Sequence, residues 1–156
     1  MEEVREKRME MSEVDNLLWN TTRLLMKTRE NILAEFGFTY LQFEILEAIY
    51  QISKKNRAVI QIALSEQTQI NPMTTSTILR NLQKRGLIER KRGLKNTRTV
   101  EVNLTPKGES VYHQAQKKVS KMREKVYSDV DLLQLAGQLS GLSDRLQKAN
   151  KINYEN

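Results

Sequence analysis

Asn71-Pro72-Met73-Thr74-Thr75-Ser76-Thr77-Ile78-Leu79-Arg80-Asn81-Leu82-Gln83-Lys84-Arg85-Gly86 is the stretch on which the fold turns. Asn71 is a good N-cap. Pro72 suits the first helical position, where its missing N–H costs nothing. Gly86 stands where a left-handed residue can end the helix. Between these signals Thr75, Ile78, Leu79 and Leu82 recur at helical spacing and form a packing face. The opposite face carries Met73, Thr74, Ser76, Thr77, Arg80, Asn81 and Lys84, short polar groups first and cations later.

The flanking segments give this helix a context. A short helix is expected over about Ile60–Gln67 with Ile60, Ala63 and Leu64 inward, then a turn at Thr68-Gln69-Ile70. On the other side, Leu87–Arg90 leads out and Val100–Leu104 alternates on the way back. The tip is Arg92-Gly93-Leu94-Lys95-Asn96-Thr97-Arg98, with Gly93 and Asn96 as turn residues. Two short helices followed by a basic hairpin form a winged helix-turn-helix layout. Charge supports it. Residues 80–98 hold eight basic side chains and one acid, whereas the whole chain holds 26 basic and 19 acidic residues for a net +7. The other residues therefore balance at 18 against 18, and the excess sits in this one segment. An ordinary solvated face, or cations that guard an exposed hairpin from aggregation, would be blander readings. The concentration of charge favours phosphate binding.

Beyond residues 60–105 the chain reads as helix. Ser12 with Asp15 resembles a helix start, and Val14, Leu17, Leu18, Leu24, Leu25 and Ile32 carry a long first helix to about Ala34. Gly37 is placed to end it. Thr39 and Gln42 form a capping box for a second helix with Leu41, Ile45, Ala48, Ile49 and Ile52 in its stripe, widened by Phe43, Leu46 and Tyr50, and expected to be central. Ser53–Asn56 is a polar break. Thr105-Pro106 starts a fifth helix to about Tyr127, with Val111, Ala115, Val119, Met122 and Val126 in line. A sixth holds Leu132, Leu135, Leu139, Leu142 and Leu146, a heptad seam too short to define a coiled coil alone. The terminal helices carry more apolar surface than a small winged unit needs, which points to a second copy.

The expected fold class is mainly α with a small β wing: a winged helix-turn-helix (39–105) flanked by N- and C-terminal dimerisation helices (12–36 and 106–150). These form one unit over 12–150, with 1–11 and 151–156 fraying. A chain of 156 residues fits one domain with an ordinary core. No apolar run approaches the ~18 residues of a membrane span. The charged start Met1–Arg8 lacks a signal-peptide core, so a cytoplasmic setting is expected. With no cysteine and one histidine, His113, disulfides and thiolate metal sites are excluded, and no cofactor is expected. No Gly-rich phosphate loop, metal-ligand cluster or nucleophile–base spacing supports an enzyme.

On this reading Asn71, Met73, Thr74, Ser76, Thr77 and Arg80 meet base edges and nearby phosphates, with Thr methyls and Met73 able to contact thymine methyls. Lys84, Arg90, Arg92, Lys95 and Arg98 neutralise phosphates, and Arg98 is the candidate for a narrow minor groove. The partner is double-stranded DNA carrying a pseudo-palindrome with half-sites about one turn apart.

The chain also resembles the MarR family of transcription regulators. The matching residues are Leu64-Ser65-Glu66, Asn71-Pro72, Leu82 to Arg90, Asn96-Thr97-Arg98 and Val102-Asn103-Leu104-Thr105-Pro106-Lys107-Gly108. The resemblance implies a homodimer with interlocked terminal helices, recognition helices in successive major grooves and wings in flanking minor grooves. It implies repression relieved by a small aromatic or phenolic ligand bound between dimer helices and winged unit. Trp19, Arg23, Met26, Tyr40, Tyr112 and His113 are on helices bordering that cleft. The wing departs from the family's usual Asp-x-Arg: Asn96 replaces the acid and can hold Arg98 only by hydrogen bonding. A winged module that binds DNA or protein without an effector is the alternative.

Overall fold

A computed structural model describes residues 10–152. In chain order its elements are α1 (Met11–Leu33), a 3-10 turn (Ala34–Phe36), α2 (Tyr40–Ser53), α3 (Gln61–Thr68), α4 (Pro72–Lys84), β1 (Ile88–Arg92), β2 (Val100–Leu104), α5 (Pro106–Tyr127) and α6 (Leu132–Ile152). The chain divides within α5 into two compact units, Met1–Val119 and Ser120–Asn156.

The first unit is built around α2. Thr39 accepts from the Gln42 N–H at 3.2 Å while the Gln42 side chain accepts from the Thr39 N–H at 3.0 Å. This reciprocal cap starts the helix where the sequence places it. Phe43, Ile45, Leu46, Ala48 and Ile49 are buried against α1, α3, α4 and β2, whereas Leu41 in the first turn remains exposed. Leu33, Leu64, Leu79, Leu82, Leu87, Ile88, Val102, Ala115 and Val119 are among the other buried residues of this core.

β1 and β2 pair antiparallel with Ile88 opposite Leu104 and Arg92 opposite Val100. Val59 and Ile60 add a short third edge: the Val102 N–H donates to the Val59 carbonyl at 2.8 Å, and Ile60 bridges Glu101. This pairing ties the base of the hairpin to the start of α3. Helical spacing places Ile60 inside the helix; the structure puts it on this edge instead, and two β-branched residues after a polar break are the strand signal that explains it.

Helix α5 begins on the hairpin base. The Thr105 hydroxyl donates to the Gly86 carbonyl at 2.6 Å and accepts from the Gly108 N–H at 3.0 Å. A Cβ at Gly108 would lie 1.8 Å from the Leu87 carbonyl oxygen, so only glycine permits this approach. Tyr112 is buried on α5 against Phe43, with Tyr50 and His113 beside it.

The start of α1 differs from expectation. It begins at Met11, with the Glu13 carboxylate accepting from the Glu10 N–H at 3.1 Å. Glu at the third helical position caps the Glu10 N–H, so the start lies ahead of Ser12, with Glu10 as the N-cap and Met11 as the first helical residue. At the other end α6 includes Lys151. The remaining expectations about 1–9 and 153–156 lie outside the described residues. In the second unit, Asp131 caps α6 by accepting from the Gln134 N–H at 3.0 Å. The Leu132, Leu135, Leu139, Leu142 and Leu146 seam is exposed along its length.

Candidate nucleic-acid interface

The turn before α4 is fixed from several sides. Gln69 takes a left-handed conformation (φ 59°), which ends α3. The Ser65 hydroxyl donates to the Ile70 carbonyl at 2.5 Å, and Thr75 reaches the same oxygen at 3.3 Å. Asn71 then accepts from the Thr74 N–H at 2.8 Å, and Pro72 opens the helix. Both polar residues that α3 and α4 bury, Ser65 and Thr75, therefore serve the turn, and each has a satisfied hydroxyl.

Thr75, Ile78, Leu79 and Leu82 are the buried residues of α4, which leaves the other face outward. Met73 is 80% exposed; Asn71, Thr77, Arg80, Asn81 and Lys84 are exposed and Thr74 and Ser76 partly so. Some of these groups are already engaged. Thr77 donates its only hydroxyl proton to the Met73 carbonyl at 3.1 Å and accepts from Arg80 at 3.2 Å, so its methyl is the part left for an apolar contact. Asn81 accepts from the Gln42 side chain at 3.1 Å, linking the reading face to the α2 cap.

The cations divide into two sets. Arg85 is turned inward: it donates to the Gly37 and Phe36 carbonyls at 2.9 and 2.8 Å and lies over the Phe38 ring. Gly37 permits this with its left-handed backbone (φ 65°), and the contact locks the C-terminal end of α4 to the junction after α1. Lys118 of α5 holds the same junction through Glu35 and the Phe36 ring. Arg90 donates to Gln83 at 2.8 Å, and Lys91 pairs with Glu89 at 3.3 Å in the open. The side chains of Lys84, Arg92, Lys95 and Arg98 have no hydrogen-bond or ion-pair partner among the described residues. They are uncommitted positive charges.

At the wing tip, Asn96 folds the turn instead of holding the arginine. Its side chain accepts from the Arg98 backbone N–H at 3.0 Å, and its carbonyl accepts from the Thr99 N–H at 3.0 Å and the Thr99 hydroxyl at 2.7 Å. The Arg98 guanidinium has no partner among the described residues, and Arg98 is one of the residues that line a cavity of about 210 Å³ beside α3. Leu94, which sequence reasoning does not single out, is 94% exposed at the tip. Its signal is a lone apolar residue among cations.

The six candidate ligand residues fall into three groups. Trp19 is 60% exposed on α1 with Arg23 over its ring, and Met26 is exposed further along. Tyr40 accepts from Arg29 at 2.8 Å; burial, then the neighbouring Glu44, push its hydroxyl pKa up. Burial also pushes the Glu44 carboxyl up, against the pull of Arg29. Tyr112 belongs to the core, whereas His113 is exposed beside Glu109 at 3.6 Å. Among the described residues no cluster of three or more metal-ligating side chains occurs, and no helix is long and apolar enough to cross a membrane.

Comparison with known proteins gives this geometry a family. The model of the SarA/Rot transcriptional regulators matches residues 27–115. An uncharacterised helix-turn-helix transcriptional regulator of Bacillus subtilis, YdcH, is 34% identical over 92 residues, which cover 59% of this chain and 63% of the relative. The match thus spans less than two thirds of that relative. Among solved structures, the transcriptional regulator BldR of Sulfolobus solfataricus superposes with a TM-score of 0.68 at 26% identity, covering 90% of this chain and 99% of its own. The DNA complex of Staphylococcus aureus MepR has a TM-score of 0.74 at 20% identity, covering 86% and 96%. These proteins are transcription regulators, not enzymes, with the MarR-like winged-helix fold. By this match over more than half its length, the chain belongs to the SarA/Rot family of winged-helix transcriptional regulators.

Proposed function

We propose that this regulator is a sequence-specific, double-stranded DNA-binding repressor. It acts in the cytoplasm as a homodimer on a pseudo-palindromic operator and is released by a small aromatic or phenolic effector. The observation that carries the reading is the placement of the chain's whole charge excess on α4 and the hairpin, with Lys84, Arg92, Lys95 and Arg98 unpartnered beside an exposed face of short polar groups. That the MepR structure is a DNA complex of the same fold supports it. Asn71, Met73, Thr74, Ser76, Thr77 and Arg80 are assigned to base edges and adjacent phosphates, and Lys84, Arg90, Arg92, Lys95 and Arg98 to phosphates. Exposed apolar residues on α1 and on α6, within the proposed dimerisation segments 12–36 and 106–150, support the second copy. For the effector, Trp19, Arg23, Met26 and His113 offer surface; Tyr112 would have to leave its packing.

Arg98→Ala tests the wing. Binding to specific and mismatched duplexes alike should weaken, and the slope of log affinity against log salt should flatten by about 0.9 for each phosphate that the wing no longer neutralises. Fluorescence anisotropy across a salt series measures both. Unchanged affinity and slope would remove the wing from the mechanism.

A further inference from the structure

We propose that Leu94 is an apolar wedge that the wing inserts between two base pairs from the minor groove, unstacking that step and kinking the duplex. This role rests on the DNA-binding reading above and deepens it, by adding a residue that reads sequence through how easily the site deforms. Leu94 is the most exposed large apolar side chain among the described residues, at 94%. It stands alone, with Arg92 and Gly93 before it in the chain and Lys95 and Asn96 after it. A second copy of the chain would need a contiguous apolar patch to dock on, and a single leucine is not one.

The tip holds Leu94 out on a closed turn. The Gly93 N–H donates to the Thr99 carbonyl at 3.0 Å, which shuts the loop at its base. Inside the loop the Asn96 carbonyl accepts from the Thr99 N–H at 3.0 Å and from the Thr99 hydroxyl at 2.7 Å, and the Asn96 side chain accepts from the Arg98 N–H at 3.0 Å. The packing is close. A Cβ at Gly93 would lie 2.3 Å from the Thr99 hydroxyl oxygen and 2.6 Å from the Asn96 carbonyl oxygen. A turn preorganised in this way loses little freedom when its tip is inserted.

The surroundings select the target. The side chains of Arg92, Lys95 and Arg98 have no hydrogen-bond or ion-pair partner among the described residues, so they can hold the phosphates that wall a minor groove. Leucine gains nothing from phosphate or from groove water. Its apolar destination there is the space between stacked bases, where inserted apolar side chains kink a duplex by about 20–90°. Pyrimidine–purine steps such as TA unstack most easily, so a leucine wedge favours such a step at the flank of each half-site without a hydrogen bond to any base.

The test selects duplexes from a randomised pool with the full chain, with Leu94→Ala and with Leu94→Met, substitutions at an exposed position that leave the fold intact. The parent and Leu94→Met should enrich a pyrimidine–purine step beside each half-site. Leu94→Ala should enrich the same half-sites with that flanking step random. A selected duplex with 2-aminopurine in place of adenine at the step should brighten on binding the parent, because this base fluoresces when unstacked, and stay dim with Leu94→Ala. Leu94→Ala should weaken duplex binding by about tenfold at most, since the lost burial of leucine is offset by unstacking that no longer occurs. The slope of log affinity against log salt should not change, because no phosphate contact is lost, and this separates the wedge from the wing cations. The wedge is overturned by flanking preferences shared between the parent and Leu94→Ala, by 2-aminopurine that stays dim with the parent, by a flattened salt slope in Leu94→Ala, or by Leu94→Met behaving as Leu94→Ala does. In each of these cases the parent still binds duplex, so the DNA-binding reading stands. A parent chain that enriches no duplex overturns that reading, and the wedge with it.

Discussion

Glu44 shows how a single side chain ties stability to pH. Burial raises its carboxyl pKa above the ordinary 4.5, with Arg29 opposing and Glu47 adding to the rise. A carboxyl whose folded pKa is raised is protonated more readily in the native than in the unfolded chain. Its contribution therefore favours the fold at low pH and declines as pH climbs from the ordinary value through the raised one. Glu44→Gln should flatten stability across that window and leave the chain more stable above it. Urea midpoints measured from pH 4 to pH 7 would show this, and an unchanged pH profile would contradict it. Nothing in the residue pattern marks this group, because its burial depends on how α2 packs. Asn71 is the opposite case: a side-chain oxygen followed by proline defines a helix start locally, and the hydrogen bond to Thr74 lies where that logic puts it. Asn96 falls between them. Its turn role is legible in the sequence, but that its side chain serves the Arg98 backbone and leaves the guanidinium free follows from the tip geometry.

At the scale of elements, α4 and the hairpin are legible because their signals are short-range: helical spacing, an N-cap, a glycine stop, and period-two alternation. What sequence periodicity does not carry is how they are held. Arg85, one of the eight cations in the charged segment, is spent on the carbonyls of Phe36 and Gly37, 49 and 48 residues away in the chain. The Val59–Val102 pairing that anchors the wing is likewise non-local. Gly108 marks the tightest joint, where the first turn of α5 presses on Leu87. Gly108→Ala should cost about 2–3 kcal/mol through the forced displacement, read from urea unfolding. A cost below about 0.5 kcal/mol, within the range of an ordinary surface change, would show the joint to be loose.

For the whole molecule, the open faces matter most. Leu133 is 88% exposed on α6, and Leu132, Leu139 and Leu142 lie open near it; on α1 Leu17 and Leu24 are exposed too. Apolar surface on this scale is a liability in a monomer and an asset in a dimer. Leu139→Lys with Leu142→Lys should shift the protein toward monomer in sedimentation velocity and lower operator affinity, because each half-site would then be bound independently. A double variant that sediments like the parent would remove α6 from the interface. The central claim, that α4 and the wing of two copies read one DNA site, is tested most directly by a hydroxyl-radical footprint on DNA upstream of the protein's own coding region. Two protected patches related by a pseudo-dyad and centred about 10 bp apart are expected. Absence of protection, or uniform protection with no repeat or symmetry, would contradict it.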